Sequence, residues 1–140
     1  MEKTLIILKP SIPKSELNEN IKVTKEEFQK IFFRILSIKW FKIIERKKTI
    51  IDEKTAKEHY ADKKDHPLFN SVVKYISSDV SIILSISWEQ AIENVRKIAL
   101  SMRKKYIWTS KLYNLIHSSD SEYESNREHK IHFSNKKSIA

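Results

Sequence analysis

"TKEEFQKIFFRILSIKWFKIIERKKTII", residues 24–51, changes its hydrophobic period halfway, and that change decides the fold. Thr24 and Glu27 have capping-box spacing, in which each side chain satisfies a backbone N–H near the other. Phe28, Ile31, Phe32, Ile35 and Leu36 then follow at i, i+3, i+4, i+7 and i+8, one face of a helix. The spacing predicts a helix over 24–38. From Phe41 onward β-branched residues concentrate, and the run ends near Asp52, which predicts a strand.

The same reading extends outward. "TLIILKP" (4–10) is a continuous apolar run closed by a proline that cannot donate to a ladder, so it reads as a buried strand. "SIPKSELNENIKV" is polar and carries Pro13, so it reads as loop. "DEKTAKEHYA" predicts a short helix capped by Asp52. "HPLFNSVVKYISS" predicts another, with Pro67 in its first turn and Leu68, Val72, Tyr75 and Ile76 along one side. "VSIILSIS" reads as a strand. "WEQAIENVRKIAL" reads as a helix with Ala91, Ile92, Val95, Ile98 and Ala99 inward. "SMRKKYIWTSKLY" reads as irregular and basic. "SEYESNREHKIHF" reads as a short helix followed by a last short strand.

The order β, α, β, two short α, β, α, loop, α, β is the ferredoxin-like βαββαβ plan, an α/β (α+β) sandwich. It predicts a four-stranded antiparallel sheet covered by helices on one face. Residues 1–134 form a single domain on this reading, and 135–140 a flexible tail.

Composition narrows the function. The 140 residues carry 27 Lys and Arg against 18 Asp and Glu, a net charge of +9. Such a surface favours anionic partners. The basic residues are spread along the chain rather than gathered in one stripe, which argues against nucleic acid as the partner. There is no cysteine, which fits a reducing compartment. The N-terminal apolar run is short and flanked by charge, unlike a signal peptide. Arg34, Lys39 and Lys42 interrupt the most apolar helix-strand region, so no membrane span is expected there. The expectation is a cytoplasmic protein. Glycine is absent, where average usage would give about ten. That excludes glycine-rich phosphate loops and dinucleotide fingerprints. It also leaves Asn, Asp, Ser or Lys to take any left-handed backbone position, at some strain.

One polar stretch carries a candidate chemistry. In "NLIHSSDS" (114–121) a histidine lies between Asn114 and Asp120, among small hydroxyl residues. Taken singly, such a histidine reads as an ordinary surface residue. Three other stretches accompany it in order: "TLIILKP", "AKEHYADKKDHPLFNSVVKYISS" and "AIENVRKI". With "SNREHKIHF" after the histidine, the set resembles the nucleoside diphosphate kinase family over nearly the whole chain.

The resemblance implies transfer of the γ-phosphate from a nucleoside triphosphate to a nucleoside diphosphate, by ping-pong through a phosphohistidine. It makes His117 the nucleophile, Glu128 the carboxylate that orients it and Ser119 a hydrogen-bonding neighbour. A neutral imidazole suits that role, with one nitrogen free and the other held. A carboxylate on the second nitrogen fixes the tautomer and stabilises the charged ring. The resemblance further places Lys9, Tyr60 and Arg96 on the phosphates, Asn114 on the ribose hydroxyl and Leu68 against the base. Mg²⁺ would be held mainly by nucleotide phosphates and water, with no direct protein ligand set. The partners implied are nucleoside di- and triphosphates such as ATP, ADP and GDP.

Several positions depart from the family pattern. Ser118 stands where Gly is usual after the histidine. Leu68 replaces a base-stacking Phe and lacks its π-face. Between Arg96 and Asn114 the family has a longer glycine-containing loop with a Thr and a second Arg on the phosphates. Here Met102 stands about where the Thr would be, and Arg103, Lys104 or Lys105 supplies the cation. That loop also builds the family's trimer contacts, so a dimer is expected rather than a hexamer. A catalytically weakened domain that binds nucleotide or a partner is the alternative these departures motivate. A metal site on His129 and His132 is disfavoured, since three positions apart on a strand their rings would point to opposite faces.

Overall fold

The computed structural model describes residues 1–108 and 112–133. The tail expected at 135–140, and residues 109–111 of the basic segment, lie outside them. Besides two single-turn 3-10 helices, the described residues form four strands and five α-helices, in the order β1 (Glu2–Leu8), α1 (Lys25–Ile38), β2 (Lys42–Thr49), α2 (Glu53–His59), α3 (Phe69–Ile76), β3 (Ser81–Trp88), α4 (Ala91–Tyr106), β4 (Ile116–Ser118) and α5 (Glu122–Phe133). The sheet order is β2-β3-β1-β4 and every pairing is antiparallel. This is the ferredoxin-like order.

The continuous apolar runs of β1 and β3 follow from burial on both sides. Ile6, Leu8, Ile82, Leu84 and Ile86 point to one face, where they meet Phe28, Phe32 and Leu36 of α1 and Val95, Ala99 and Met102 of α4. Leu5, Ile7 and Ile83 point to the other, where they meet Ala56, Tyr60, Val73 and Ile76 from α2, α3 and the turn between them. Phe28 and Phe32 are fully buried, and burial of each such ring contributes about 2–3 kcal/mol. Helices therefore cover both faces, not the one face expected from sequence; α5 joins α2 and α3 on the second.

α1 starts where its capping box predicts. Thr24 Oγ1 accepts from the Glu27 N–H at 3.1 Å, and Glu27 Oε1 accepts from the Thr24 N–H at 2.9 Å. Asp52 caps α2 by accepting from the Thr55 N–H at 2.7 Å. Among the described residues the left-handed positions fall on Trp40, Gln90 and Leu115 (φ 65°, 48° and 63°), not on the short polar residues expected. Trp40 closes α1 by the αL turn that glycine ordinarily supplies: its N–H donates to Ser37 O and the Phe41 N–H to Leu36 O. Each such non-glycine position costs about 1–2 kcal/mol.

The C-terminal third departs most from expectation. α4 continues to Tyr106 through "SMRKKY", because Met102 prolongs its apolar stripe into the core. The last strand is not in "EHKIHF". It is Ile116–Ser118, with the histidine at its centre, and residues 122–133 are one helix. His129 and His132 are thus three apart on a helix, where such positions are neighbours. No described helix is long and apolar enough to cross a membrane.

Candidate active site

β4 is an edge strand of three residues. Its alternation buries Ile116 and Ser118 and leaves His117 part-exposed. His117 is paired with Ile7 of β1, on the face covered by α2, α3 and α5. Just beyond the strand, Ser119 is buried and locked to β1: its Oγ accepts from the Leu5 N–H at 3.0 Å. The same hydroxyl donates to Glu128 Oε1 at 2.7 Å. Glu128, on α5, is 3% exposed, and its other oxygen lies 3.0 Å from His117 Nε2. The ring and carboxylate are close but not well aligned for a straight hydrogen bond. Burial works against the charge on Glu128. The His117 ring, the Ser119 hydroxyl and Arg127 outweigh it and hold the carboxyl below its usual range. His117 Nδ1 makes no hydrogen bond to any described residue.

A cavity of about 540 Å³ opens over this ring. Lys9, Arg96 and Arg103 bring positive charge to its wall. Arg96 and Arg103 are seven residues apart on α4, two turns, and so share a face. Each guanidinium is set by an outward-facing carbonyl of the edge strand: Arg96 Nη1 donates to Ser118 O at 3.3 Å, and Arg103 Nε to Ile116 O at 3.2 Å. Lys9 directly follows β1, is 5% exposed and donates to Asn114 Oδ1 at 2.9 Å. Burial, assisted by the nearby Arg103, lowers its pKa to about 7. Tyr60 follows α2, and its buried hydroxyl has no hydrogen-bond partner among the described residues. Burial, with the Glu128 charge nearby, raises its pKa.

Of the residues singled out from sequence, the cavity is bordered by Lys9, Tyr60, Leu68, Arg96, Arg103 and Asn114, with His117 and Glu128 at its base. Ser119 lies behind Glu128. Met102 and Lys104 do not border it. Met102 is packed in the core at 3% exposure, and Lys104 is exposed on the surface of α4. Of the three candidate cations, Arg103 is the one on the cavity face. Leu68 stands at the rim, 44% exposed.

Three further side chains lie in or behind the floor: His59 and Arg127, for which the sequence offered no role, and His132, weighed there only as a metal ligand with His129. His59, the last residue of α2, is buried; its ring meets that of His117 edge-on, with centroids 4.5 Å apart. His59 Nδ1 lies 3.0 Å from Nε2 of His132, also buried, one turn beyond Glu128 on α5. Arg127 ties the end of α2 to α5 by donating to Glu58 O at 2.9 Å and His59 O at 2.8 Å. Burial and the neighbouring His117 hold both histidines to the neutral form. His59 falls well below the usual range and His132 falls to about 4. The adjacent His-Tyr pair was visible in sequence, but nothing local linked His59 to a helix seventy residues on.

An antiparallel α+β sandwich with a histidine against a buried carboxylate, beneath converging cations, is an arrangement suited to holding an anion. Residues 2–138 match the family model described as nucleoside diphosphate kinase, and the chain belongs to that family. A nucleoside diphosphate kinase of Acetivibrio thermocellus is 34% identical, over 86% of this chain and 88% of its own. Among solved structures, an orthorhombic form of the Aquifex aeolicus nucleoside diphosphate kinase aligns with a TM-score of 0.76 and 29% identity over 96% of both chains. A nucleoside diphosphate kinase of Halobacterium salinarum, solved with CDP, aligns with a TM-score of 0.73 and 26% identity, covering 96% of this chain and 88% of its own.

Proposed function

We propose that this chain is a nucleoside diphosphate kinase that carries the phosphoryl group on His117. One observation supports this above the rest: His117 Nε2 faces an ionised, buried carboxylate while Lys9, Arg96 and Arg103 line the same cavity.

The chemistry follows from that arrangement. The Nδ1 lone pair attacks the γ-phosphorus of a nucleoside triphosphate, and the bond to the bridging oxygen breaks. The diphosphate leaves with the electron pair. Positive charge on the ring is stabilised by Glu128 through Nε2, and Ser119 keeps that carboxylate in place. In the second half a terminal oxygen of another diphosphate attacks the same phosphorus, and the P–N bond breaks. The transferring group spreads charge over its equatorial oxygens, so most of the work is positioning and cationic stabilisation. Lys9, Arg96 and Arg103 supply the charge, and Tyr60 has a hydroxyl free to donate to a phosphate oxygen. Asn114 positions the ribose. Leu68 packs on the base.

Mg²⁺ fits this site as a partner of the nucleotide. The nearby carboxylates Asp62, Asp120 and Glu124 do not make an oxygen cage, but one can give a single ligand to an ion held otherwise by phosphates and water. When bound, Mg²⁺ neutralises phosphate charge. Dimeric assembly and a cytoplasmic setting belong to the same proposal; the short connection between α4 and β4 supports the first.

Exposure to labelled ATP tests the reading. The expected product is an acid-labile, alkali-stable phosphoprotein that GDP discharges. A His117→Ala protein that labels equally well overturns it. Stable nucleotide binding without labelling favours the weakened-kinase alternative, which the exposed Leu68 rim motivates.

A further inference from the structure

The floor of the cavity holds more ligating atoms than phosphoryl transfer uses. One ligand atom each from His59, His117 and Glu128 lie within 4.8 Å of one another. His59 Nε2 is 3.9 Å from Glu128 Oε2, and His117 Nε2 is 3.0 Å from the same oxygen. The 3.9 Å separation is too long for a hydrogen bond, and the 3.0 Å contact is poorly aligned for one. Two imidazole nitrogens and a carboxylate thus face one small volume without pairing well among themselves.

The surroundings hold each of these groups in a form that can ligate. His132 Nε2 lies 3.0 Å from His59 Nδ1. When it accepts the Nδ1 proton, His59 Nε2 is left with its lone pair toward Glu128. Ser119 holds the far carboxylate oxygen at 2.7 Å. Arg127 fixes the backbone that carries His59. These are the outer contacts that orient histidine and carboxylate ligands at metal centres.

We infer that His59, His117 and Glu128 form a binding site for a borderline-soft divalent cation of the Zn²⁺ class, and that its occupancy switches phosphoryl transfer off. Two histidines and one glutamate are a known zinc donor set, with the fourth position open. Here that position faces the cavity, where water completes it. A cation on His117 Nε2 displaces the proton there. The neutral ring then carries its proton on Nδ1, the nitrogen that must attack. Mg²⁺ prefers oxygen ligands and its waters, so it does not compete for this nitrogen-rich position. The switching half rests on the proposed phosphohistidine chemistry; the binding half does not.

The test uses the full chain without nucleotide. Titration with Co²⁺ should give the intense visible absorption of a four-coordinate site, displaced one-for-one by Zn²⁺. His59→Gln should weaken Zn²⁺ binding at least about 100-fold by loss of a ligand, and His132→Phe about 10–100-fold by loss of an outer contact. Circular dichroism establishes that each variant is folded. Protein preloaded with Zn²⁺ and freed of excess should label with ATP at least tenfold less, and recover after a zinc-selective chelator. Absence of the cobalt band, a six-coordinate spectrum, or undiminished binding by both folded variants overturns the site. Four-coordinate binding with unchanged labelling overturns the switch. Metal-free protein that binds Co²⁺ as expected but never labels overturns the kinase reading and leaves the site standing.

Discussion

The floor and the rim of the cavity are built on opposite terms. In and just behind the floor, Ser119, Glu128, His59 and His132 are nearly sealed from solvent, at 0–3% exposure, and each touches another member of the group. At the rim, Leu68 is 44% exposed and its side chain lacks the π-face that the family's Phe brings to the base. Polar groups buried in a low-dielectric site are costly to disturb and strong when satisfied. An exposed apolar residue at a pocket mouth can change with little cost to the fold. On the proposed function, the contrast separates the phosphoryl chemistry from the holding of the nucleotide, and each can be attacked alone.

The largest effect should come from the floor. Glu128→Gln keeps the shape and removes the charge that stabilises the ring. Loss of one preorganised electrostatic partner costs about 10²–10³ in kcat, and stopped-flow phosphoenzyme formation should show it with KM little changed. An unchanged kcat would dissolve the distinction between floor and rim.

Acid should also strike the floor. The folded-state pKa of His132 is about 4 against an ordinary 6.5. The unfolded chain therefore binds more protons between those values, and stability falls as pH drops from 6.5 toward 4. The depression corresponds to about 3 kcal/mol. Urea melts of the native chain and of His132→Phe across that window check it; the variant should lose less stability.

Lys9 lies between floor and rim, and its effect should be intermediate. With its pKa near 7 in the free protein, it is mostly neutral above that pH. Bound phosphates favour the charged form, so binding takes up a proton. Affinity for ADP should then fall up to about tenfold per pH unit above 7 and level off below it. Calorimetry in buffers of different ionisation enthalpy measures the proton directly.

The smallest effect belongs to the rim. Leu68→Phe restores a stacking surface worth about 1 kcal/mol or more. KM for nucleotide should drop about fivefold or more with kcat little changed. A rise in kcat instead would show that the rim limits the chemistry.

Much of this was legible in sequence, but unevenly. α1 and its capping box, the Asp52 cap and the runs of β1 and β3 rest on local spacing, and local spacing survives folding. β4 was missed because three residues in a polar stretch carry no period. "EHKIHF" looked strand-like because its pattern is weakly amphipathic as a helix, and only packing against β1 and α2 holds it helical. "SMRKKY" looked irregular because its basic residues masked the two apolar positions, Met102 and Tyr106, that pack on the core.

Sequence by itself determined the family and the ferredoxin-like order of elements, and it supplied the candidate side chains, because these depend on residue type and order along the chain. Tertiary structure alone decided which of them meet. It turned Arg103 into the cavity and Lys104 out of it, since a helix presents consecutive residues about 100° apart. It buried Met102, and it set His59 against His132 beside Glu128 across more than seventy residues of chain. Those contacts depend on the approach of α2 and α5 over one face of the sheet, which no local pattern records.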